Sequence, residues 1–407
     1  MRNKNIDLEK IAGALDISPS MHKYAVDRYL GIADYLETQG IKASFYPQGS
    51  FRTGTVVRPL KDGKETDFDI DVVCELSIQK DRTTPKAVKQ GIGQTLQSSK
   101  VYADRLKPED NRCWTLEYAD FPGGIGLIMD VVPCVRESDQ KILLLKKHHV
   151  PSQFAEQAVA ITERMSSEEY QWLGSNPSGY GDWFDNINKP FLQYDLEEQR
   201  RRFFRENRAL FDIAASVEEV PDFYLRSSLQ RAIQLLKRHR DIFYSRSDRT
   251  NSLRPASVII ATLAAQIAQH TTITELGALL SYIVNGLHDY SELLQGKRPR
   301  NETYLAEKSY IKRQEKKWEI LNPVNPEDNY ADSWTDDTAR MFFKWVDAAK
   351  ADLGDPTPLY ENKYITGLQT GLGMTFVNKT LNIPVGEKGT PNFSQPISQP
   401  TKPWGAR

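Results

Sequence analysis

Apolar residues recur on one helical face between Ser18 and Gln39, at Tyr24, Ala25, Tyr29, Leu30, Ala33 and Leu36. Ser18 or Ser20 can cap the start of this helix, and Gly40 turns the chain at its end. The pattern then changes to alternation. KASFYPQGS (42–50) reads as a strand that runs into a small-residue turn, and FDIDVVCEL (68–76) alternates apolar with acidic positions before turning β-branched. CWTLEYA (113–119) and IGLIMDVVPCV (125–135) predict two further strands joined through FPGG. Beyond about Asp195 the period becomes helical. Leu225, Leu229, Ile233 and Leu236 repeat every three or four residues, and further helices are expected over Ala256–His270, Glu275–Asn285 and Thr335–Asp352. The last stretch, PVGEKGTPNFSQPISQPTKPWGAR, is rich in Pro, Ser, Thr and Gly and predicts a flexible tail. The chain is therefore expected to be α+β, with three parts: 1–195 mixed, 196–383 helical and 384–407 tail.

A length of 407 residues with 39% hydrophobic and 26% charged residues supports two or three globular units and excludes a disordered or collagen-like chain. Lys+Arg 53 against Asp+Glu 54 gives a net charge of -1, which disfavours long nucleic acid as a partner. Cys74, Cys113 and Cys134 are scattered and odd in number, as expected in a reducing compartment. The N-terminus has no apolar signal region, and the most apolar run, Val258 to Ala268, is about half a bilayer span. These features predict a soluble cytoplasmic protein with no membrane association.

The candidate chemistry lies in residues 48–73, QGSFRTGTVVRPLKDGKETDFDIDVV. Asp67, Asp69 and Asp71 are two apart, so on a strand they share one face. Like charges so arranged repel unless a cation sits among them, and Mg²⁺ is a hard cation commonly held by one or two carboxylates together with substrate phosphates. Gly49 and Ser50 form a turn able to offer backbone N–H groups and a hydroxyl to phosphate. Asp130 interrupts a β-branched run, where a lone charge is costly without a partner. An Asp-rich segment alone is more often a solvated loop. The order Gly-Ser, then DxD on a strand, then a strand Asp is what favours a metal site. Ser50 and Asp69 are 19 residues apart, which leaves two ligand pairs open, Asp69 with Asp71 or Asp67 with Asp69. The β-branched run directly after Asp71 favours the first.

Gly49-Ser50, Asp69-Ile70-Asp71 and Asp130 resemble the active-site signature of the polymerase β-like nucleotidyltransferases. Together with QGSFRTGT, LQRAIQLLKRHRDIF, RPASVIIATLAA and LNPVNPEDNYADSW, they make the chain similar to the cGAS/DncV-like nucleotidyltransferases of bacterial anti-phage signalling. The resemblance covers roughly residues 15 to 345. It implies a polymerase β-like core with a mixed sheet, an N-terminal helix spanning both lobes and a helical lobe closing over the nucleotides. It implies two Mg²⁺ ions, replaceable by Mn²⁺, bound by the catalytic residues Asp69, Asp71 and Asp130, with ATP, GTP or other nucleoside triphosphates held by Gly49, Ser50, Lys237 and Ser257. Residues 226–254 carry eight Lys/Arg and two acids, a local excess suited to a triphosphate. Lys237 borders the apolar stripe of its helix, so its ammonium is expected at the edge of the core. A solvated basic face is an equal reading of that residue, and a first-turn or capping serine an equal reading of Ser257.

The implied product is a cyclic di- or trinucleotide messenger that activates a downstream effector, with ubiquitin-transfer-like or HORMA-type regulators as further partners. Gly405-Ala406-Arg407 resembles tails that such transfer enzymes conjugate, although a terminal Arg departs from that pattern. His148 and His149 have no Cys or His at zinc-ligand spacing, so no zinc is expected. Trp172, Tyr180 and Trp183 read as core or lobe-packing aromatics. Another nucleotidyltransferase, acting on RNA, a small molecule or a protein, and a catalytically silent scaffold are the alternatives.

Overall fold

The computed structural model describes residues 3–58, 60–61, 64–65, 67–119, 126–192, 196–206, 225–246, 251–297, 309–354 and 361–384. The tail from 385, and Arg249 of the basic run, lie outside them. Two helices open the chain, α1 (Lys4–Gly13) and α2 (Pro19–Thr38). Ser18 caps α2 by accepting from the Met21 N–H, while Ser20 bonds to Ser18 instead. Strand β1 (Ala43–Pro47), the short helix α3 (Gly49–Arg52) and a small hairpin of β2 (Leu60–Lys61) and β3 (Lys64–Glu65) lead to β4 (Phe68–Leu76). Helix α4 (Pro85–Gln97) then crosses to β5 (Trp114–Tyr118) and β6 (Leu127–Arg136). Helices α5 (Asp139–Lys147) and α6 (Ser152–Ala155) precede β7 (Val159–Arg164) and β8 (Tyr170–Ser175).

These strands form one mixed sheet in the order β1-β4-β6-β7-β8, with β5 also pairing β6. Only β4 and β6 run parallel, which the crossover through α4 permits. Alternation along β4 sends Phe68, Ile70, Val72 and Cys74 inward, where they meet Met21, Ala25, Ile32 and Leu36 of α2 and Ile92 and Leu96 of α4. The opposite face of β4 carries the aspartates.

A close approach sets this core. Gly93 of α4 lies against the buried ring of Trp114, whose Nε1 donates to the Lys89 carbonyl at 2.9 Å. A Cβ on Gly93 would fall 2.0 Å from Trp114 Cζ2, whereas one on Gly91 meets nothing within 4 Å. Gly93→Ala is therefore expected to cost about 1–3 kcal/mol by overpacking, while Gly91→Ala in the same helix gains about 0.5–1 kcal/mol from helix propensity. Opposite shifts of the denaturation midpoint check the pair.

The remaining helices, α7 (Pro177–Leu192), α8 (Leu196–Glu206), α9 (Ser228–Tyr244), α10 (Ser257–Ala268), α11 (Leu276–Asp289), α12 (Asp336–Leu353), α13 (Glu361–Leu372) and α14 (Met374–Leu381), build the second lobe and its junction with the sheet. Its core joins Leu229, Ile233 and Leu236 of α9 with the apolar α10 and with Trp318, Phe342, Phe343 and Trp345. Leu8, Ile11 and Ala12 of α1 and Leu15 belong to this helical cluster, while α2 packs on the sheet. The N-terminal segment is two helices with a break at Ala14–Ser18, because the α1 and α2 apolar stripes serve different cores. All three cysteines are free and buried. Among the described residues no helix is long and apolar enough to cross a membrane.

Candidate functional site

The register of the parallel pair places Asp71 directly beside Asp130 and Asp69 beside Ile128. Neighbouring strands are about 4.8 Å apart, so two carboxylates stand side by side on one face with Asp69 one step along it. Asp69 is exposed, and Asp71 and Asp130 are half-buried. Burial, then the charges of Asp130 and Asp69, push the Asp71 carboxyl up to about 7. Thr115 on β5, in register with Asp130, donates to its Oδ1 at 2.5 Å. Asp67 has a different task. Its Oδ1 accepts from the Gly126 N–H at 2.7 Å and ties the start of β4 to β6.

The Gly-Ser turn sits on Asp71. Gln48 donates its N–H to the Asp71 carbonyl at 2.9 Å. Gly49 then takes φ +60, and a Cβ there would lie 3.1 Å from Asp71 Oδ2. Helix α3 has no side-chain cap from Gln48, so its leading amides are not satisfied in that way. The helix is held from both sides. Phe51 stacks on His22 of α2, centroids 4.7 Å apart, and Arg52 bridges Asp182 and Asp185 of α7 at 2.9 and 2.8 Å. Burial and the nearby Arg226 lower His22 to about 4, so its ring is neutral in this stack. Gly49→Ala is expected to cost about 1–2 kcal/mol in the left-handed conformation and to crowd the carboxylate. Turnover should fall about 100-fold, since misplacements near 1 Å have that effect. Steady-state kinetics beside a melting curve would measure both.

Helix α9 reads the loop after this turn. Gln230 donates to the Thr53 carbonyl at 2.9 Å, Gln234 to the Val56 carbonyl at 2.7 Å, and Lys237 to the Thr55 carbonyl and hydroxyl at 3.1 and 2.9 Å. Spacings of four and three put all three on one helical face. Thr53 Oγ1 in turn bonds the Gly49 carbonyl at 3.1 Å and Thr55 Oγ1 at 3.0 Å. Lys237 is 4% exposed rather than at the rim of the core as expected. Its polar tip finds partners in the loop, which is why the helix can bury it. Burial, then Arg240, lowers it to about 7, while Asp241 and Asp69 pull the other way. Asp69 is thus among the charges that act on Lys237.

Ser257 is the first residue of α10, and Arg240 Nη1 donates to its Oγ at 2.9 Å. Ala256, not Ser257, is the N-cap, and it offers no side-chain bond. Tyr180 joins α7 to α10 through a 2.9 Å bond with Thr262, a lobe-packing role. Thr115, Gln230 and Gln234 were not singled out by sequence reasoning. The two glutamines and Lys237 do carry a signal, as polar residues spaced four and three apart along the helix.

Among the described residues no three His, Cys, Asp or Glu side chains close into a ready metal cage. The donor set still fits a hard divalent cation: carboxylate oxygens on one face, with Asp71 destabilised by its acidic neighbours. Mg²⁺ needs only one or two such carboxylates when phosphates complete its shell.

Residues 43–122 match the family model described as "Cyclic GMP-AMP synthase DncV-like, nucleotidyltransferase domain". A c-di-GMP synthase of Roseivirga ehrenbergii is 27% identical over 336 residues, covering 81% of this chain and 72% of that protein. The structure of the Bradyrhizobium diazoefficiens CD-NTase CdnG in complex with GTP superposes with a TM-score of 0.63 at 20% identity, covering 93% of this chain and 98% of the other. The E. coli MS115-1 CdnC:HORMA-deltaN complex gives 0.56 at 16% identity, covering 92% and 99%. The fold is that of these enzymes, a polymerase β-like core with a helical second lobe.

Proposed function

We propose that this chain is a cGAS/DncV-like nucleotidyltransferase, as its match over residues 43–122 and its 27% identity to a c-di-GMP synthase support, and that it joins nucleoside triphosphates into a cyclic di- or trinucleotide. The observation that carries the reading is Asp71 beside Asp130 on parallel strands, with Gln48, just before the Gly49-Ser50 turn, donating its N–H to the Asp71 carbonyl. In this reading Asp69, Asp71 and Asp130 hold two Mg²⁺ ions. The bound metal would lower the pKa of an attacking ribose hydroxyl and stabilise the leaving pyrophosphate. Asp130, oriented by Thr115, helps take the proton of that hydroxyl. Gly49 and Ser50 receive the donor triphosphate, and Lys237 and Ser257 supply positive charge and a hydroxyl from the helical lobe. The α9 contacts to residues 53–56 keep the two halves of this site in register.

The name of the Roseivirga relative and the GTP in CdnG support GTP as a substrate, beside ATP. The HORMA partner of CdnC supports a regulator of that kind, with a ubiquitin-transfer-like enzyme as the other regulatory partner. The product would act as a cytoplasmic messenger to an effector in anti-phage defence. The test is incubation with all four nucleoside triphosphates and Mg²⁺, phosphatase treatment and mass spectrometry. A phosphatase-resistant cyclic product, absent from an Asp69→Ala, Asp71→Ala double variant, is expected. A linear product joined to RNA or to a small molecule would favour a different nucleotidyltransferase.

A further inference from the structure

Arg240 lies one helical turn beyond Lys237 on α9 and is 7% exposed. A buried guanidinium requires partners for its rigid fork of donors. Its Nε and Nη2 bond the Asp241 carboxylate at 2.9 and 2.7 Å. Its Nη1 donates to the Pro255 carbonyl at 3.1 Å and to Ser257 Oγ at 2.9 Å. Asp241 also faces Arg254 at 3.5 Å, which fixes the carboxylate that fixes the guanidinium.

Pro255 and Ser257 flank Ala256, the N-cap that contributes no side-chain bond to α10. One nitrogen of Arg240 therefore sets the entry of this helix. It also fills an acceptor position on the Ser257 oxygen. A hydroxyl that accepts from a cation keeps its own proton for a different acceptor, and that proton is polarised toward an anion. The leading amides of α10 add a favourable field for negative charge at the same place. Lys237, on the same side of α9, is close enough to Arg240 to feel its charge.

We propose that Arg240 is a positioning residue of the nucleotide site. It orients the Ser257 hydroxyl as a donor to the triphosphate, without touching the nucleotide itself. This rests on the nucleotidyltransferase reading above. The partner of the Ser257 hydroxyl is the polyphosphate, common to every nucleoside triphosphate, so Arg240 should act on binding and be indifferent to the base.

The experiment measures KM and kcat for pyrophosphate release from ATP and from GTP with Mg²⁺, with a melting temperature for each protein. The proteins are the wild type, Arg240→Gln, Arg240→Lys, Ser257→Ala and the Arg240→Gln, Ser257→Ala pair. Each single variant should raise KM about tenfold with kcat within about twofold, the mark of an interaction made equally before and during reaction. The pair should be no worse than Ser257→Ala alone, because Arg240 acts through the hydroxyl. Arg240→Lys keeps the charge but not the fork, so it should behave like Arg240→Gln, and it carries the comparison should the glutamine variant not fold. A pair about 100-fold worse, rescue by lysine, or an Arg240 variant that melts earlier with KM unchanged would each overturn the proposal. A wild type that releases no pyrophosphate from any nucleoside triphosphate would instead defeat the nucleotidyltransferase reading, and the positioning role with it.

Discussion

Replacing Asp71 by asparagine is expected to abolish nucleotidyl transfer and, in the absence of divalent metal, to raise the melting temperature. Both effects come from one placement. Asp71 stands beside Asp130 on the next strand, with Asp69 on the same face. Burial and these charges raise its carboxyl from 3.8 to about 7. Between those values the folded protein binds more protons at this group than the unfolded chain does. Stability from this group is therefore highest below about pH 4 and is lost as pH rises to about 7. Three pKa units would carry roughly 4 kcal/mol at full strength, and solvent relaxation around a coupled cluster reduces that to about 1–3 kcal/mol. Asparagine keeps the shape and drops the charge, so it recovers that amount above pH 7. Catalysis loses a carboxylate ligand, and turnover should drop by about 10³-fold or more. Mg²⁺ should stabilise the wild type more at pH 8 than at pH 5.5, and the variant far less at either. Melting curves against pH, with and without Mg²⁺, read these outcomes. A variant that melts earlier at pH 8 would show that Asp71 is held by partners rather than strained by neighbours.

Lys237→Met is expected to weaken triphosphate use about 100-fold in KM, the scale of one desolvated charge-assisted contact, with little change in stability. The ammonium is buried against Thr55, and burial together with Arg240 lowers it from 10.5 to about 7. Over that window the unfolded chain binds more protons, so the cost of burying this lysine is full below about pH 7 and fades as pH rises toward 10.5. Methionine removes that cost but leaves the Thr55 carbonyl without its donor, and the two changes offset. The functional consequence is a proton. At pH 8 much of Lys237 is neutral in the free protein, and an anionic triphosphate draws it to the charged form. Nucleotide binding by the wild type should then take up a fraction of a proton, seen as a dependence of the calorimetric heat on the ionisation heat of the buffer. Equal proton uptake in the Lys237→Met protein would remove Lys237 from the phosphate site.

That Asp69, Asp71 and Asp130 lie on strands was legible because FDIDVV and LIMDVV each set acids into apolar or β-branched sequence. Helix α2 and its Ser18 cap followed from period and capping chemistry. Asp67 was not separable from Asp69 and Asp71, since spacing two puts all three on one face, and its bond to Gly126 is a contact that spacing does not announce. The burial of Lys237 was hidden because its partners lie in a loop some 180 positions earlier in the chain. Arg240 was one cation in a basic run, and nothing in a run says which member faces a serine across a turn. Local chemistry was readable from the sequence. The pairing of distant elements was not.

The central claim is that the Asp71–Asp130 face is a nucleotidyl-transfer centre. The most direct measurement is pyrophosphate release from ATP and GTP by the wild type and by Asp71→Asn, with the phosphatase-resistant product quantified in the same samples. Pyrophosphate and cyclic product should rise together in the wild type, and neither should form with a variant that is folded and melts no earlier. Equal product from both proteins would contradict it.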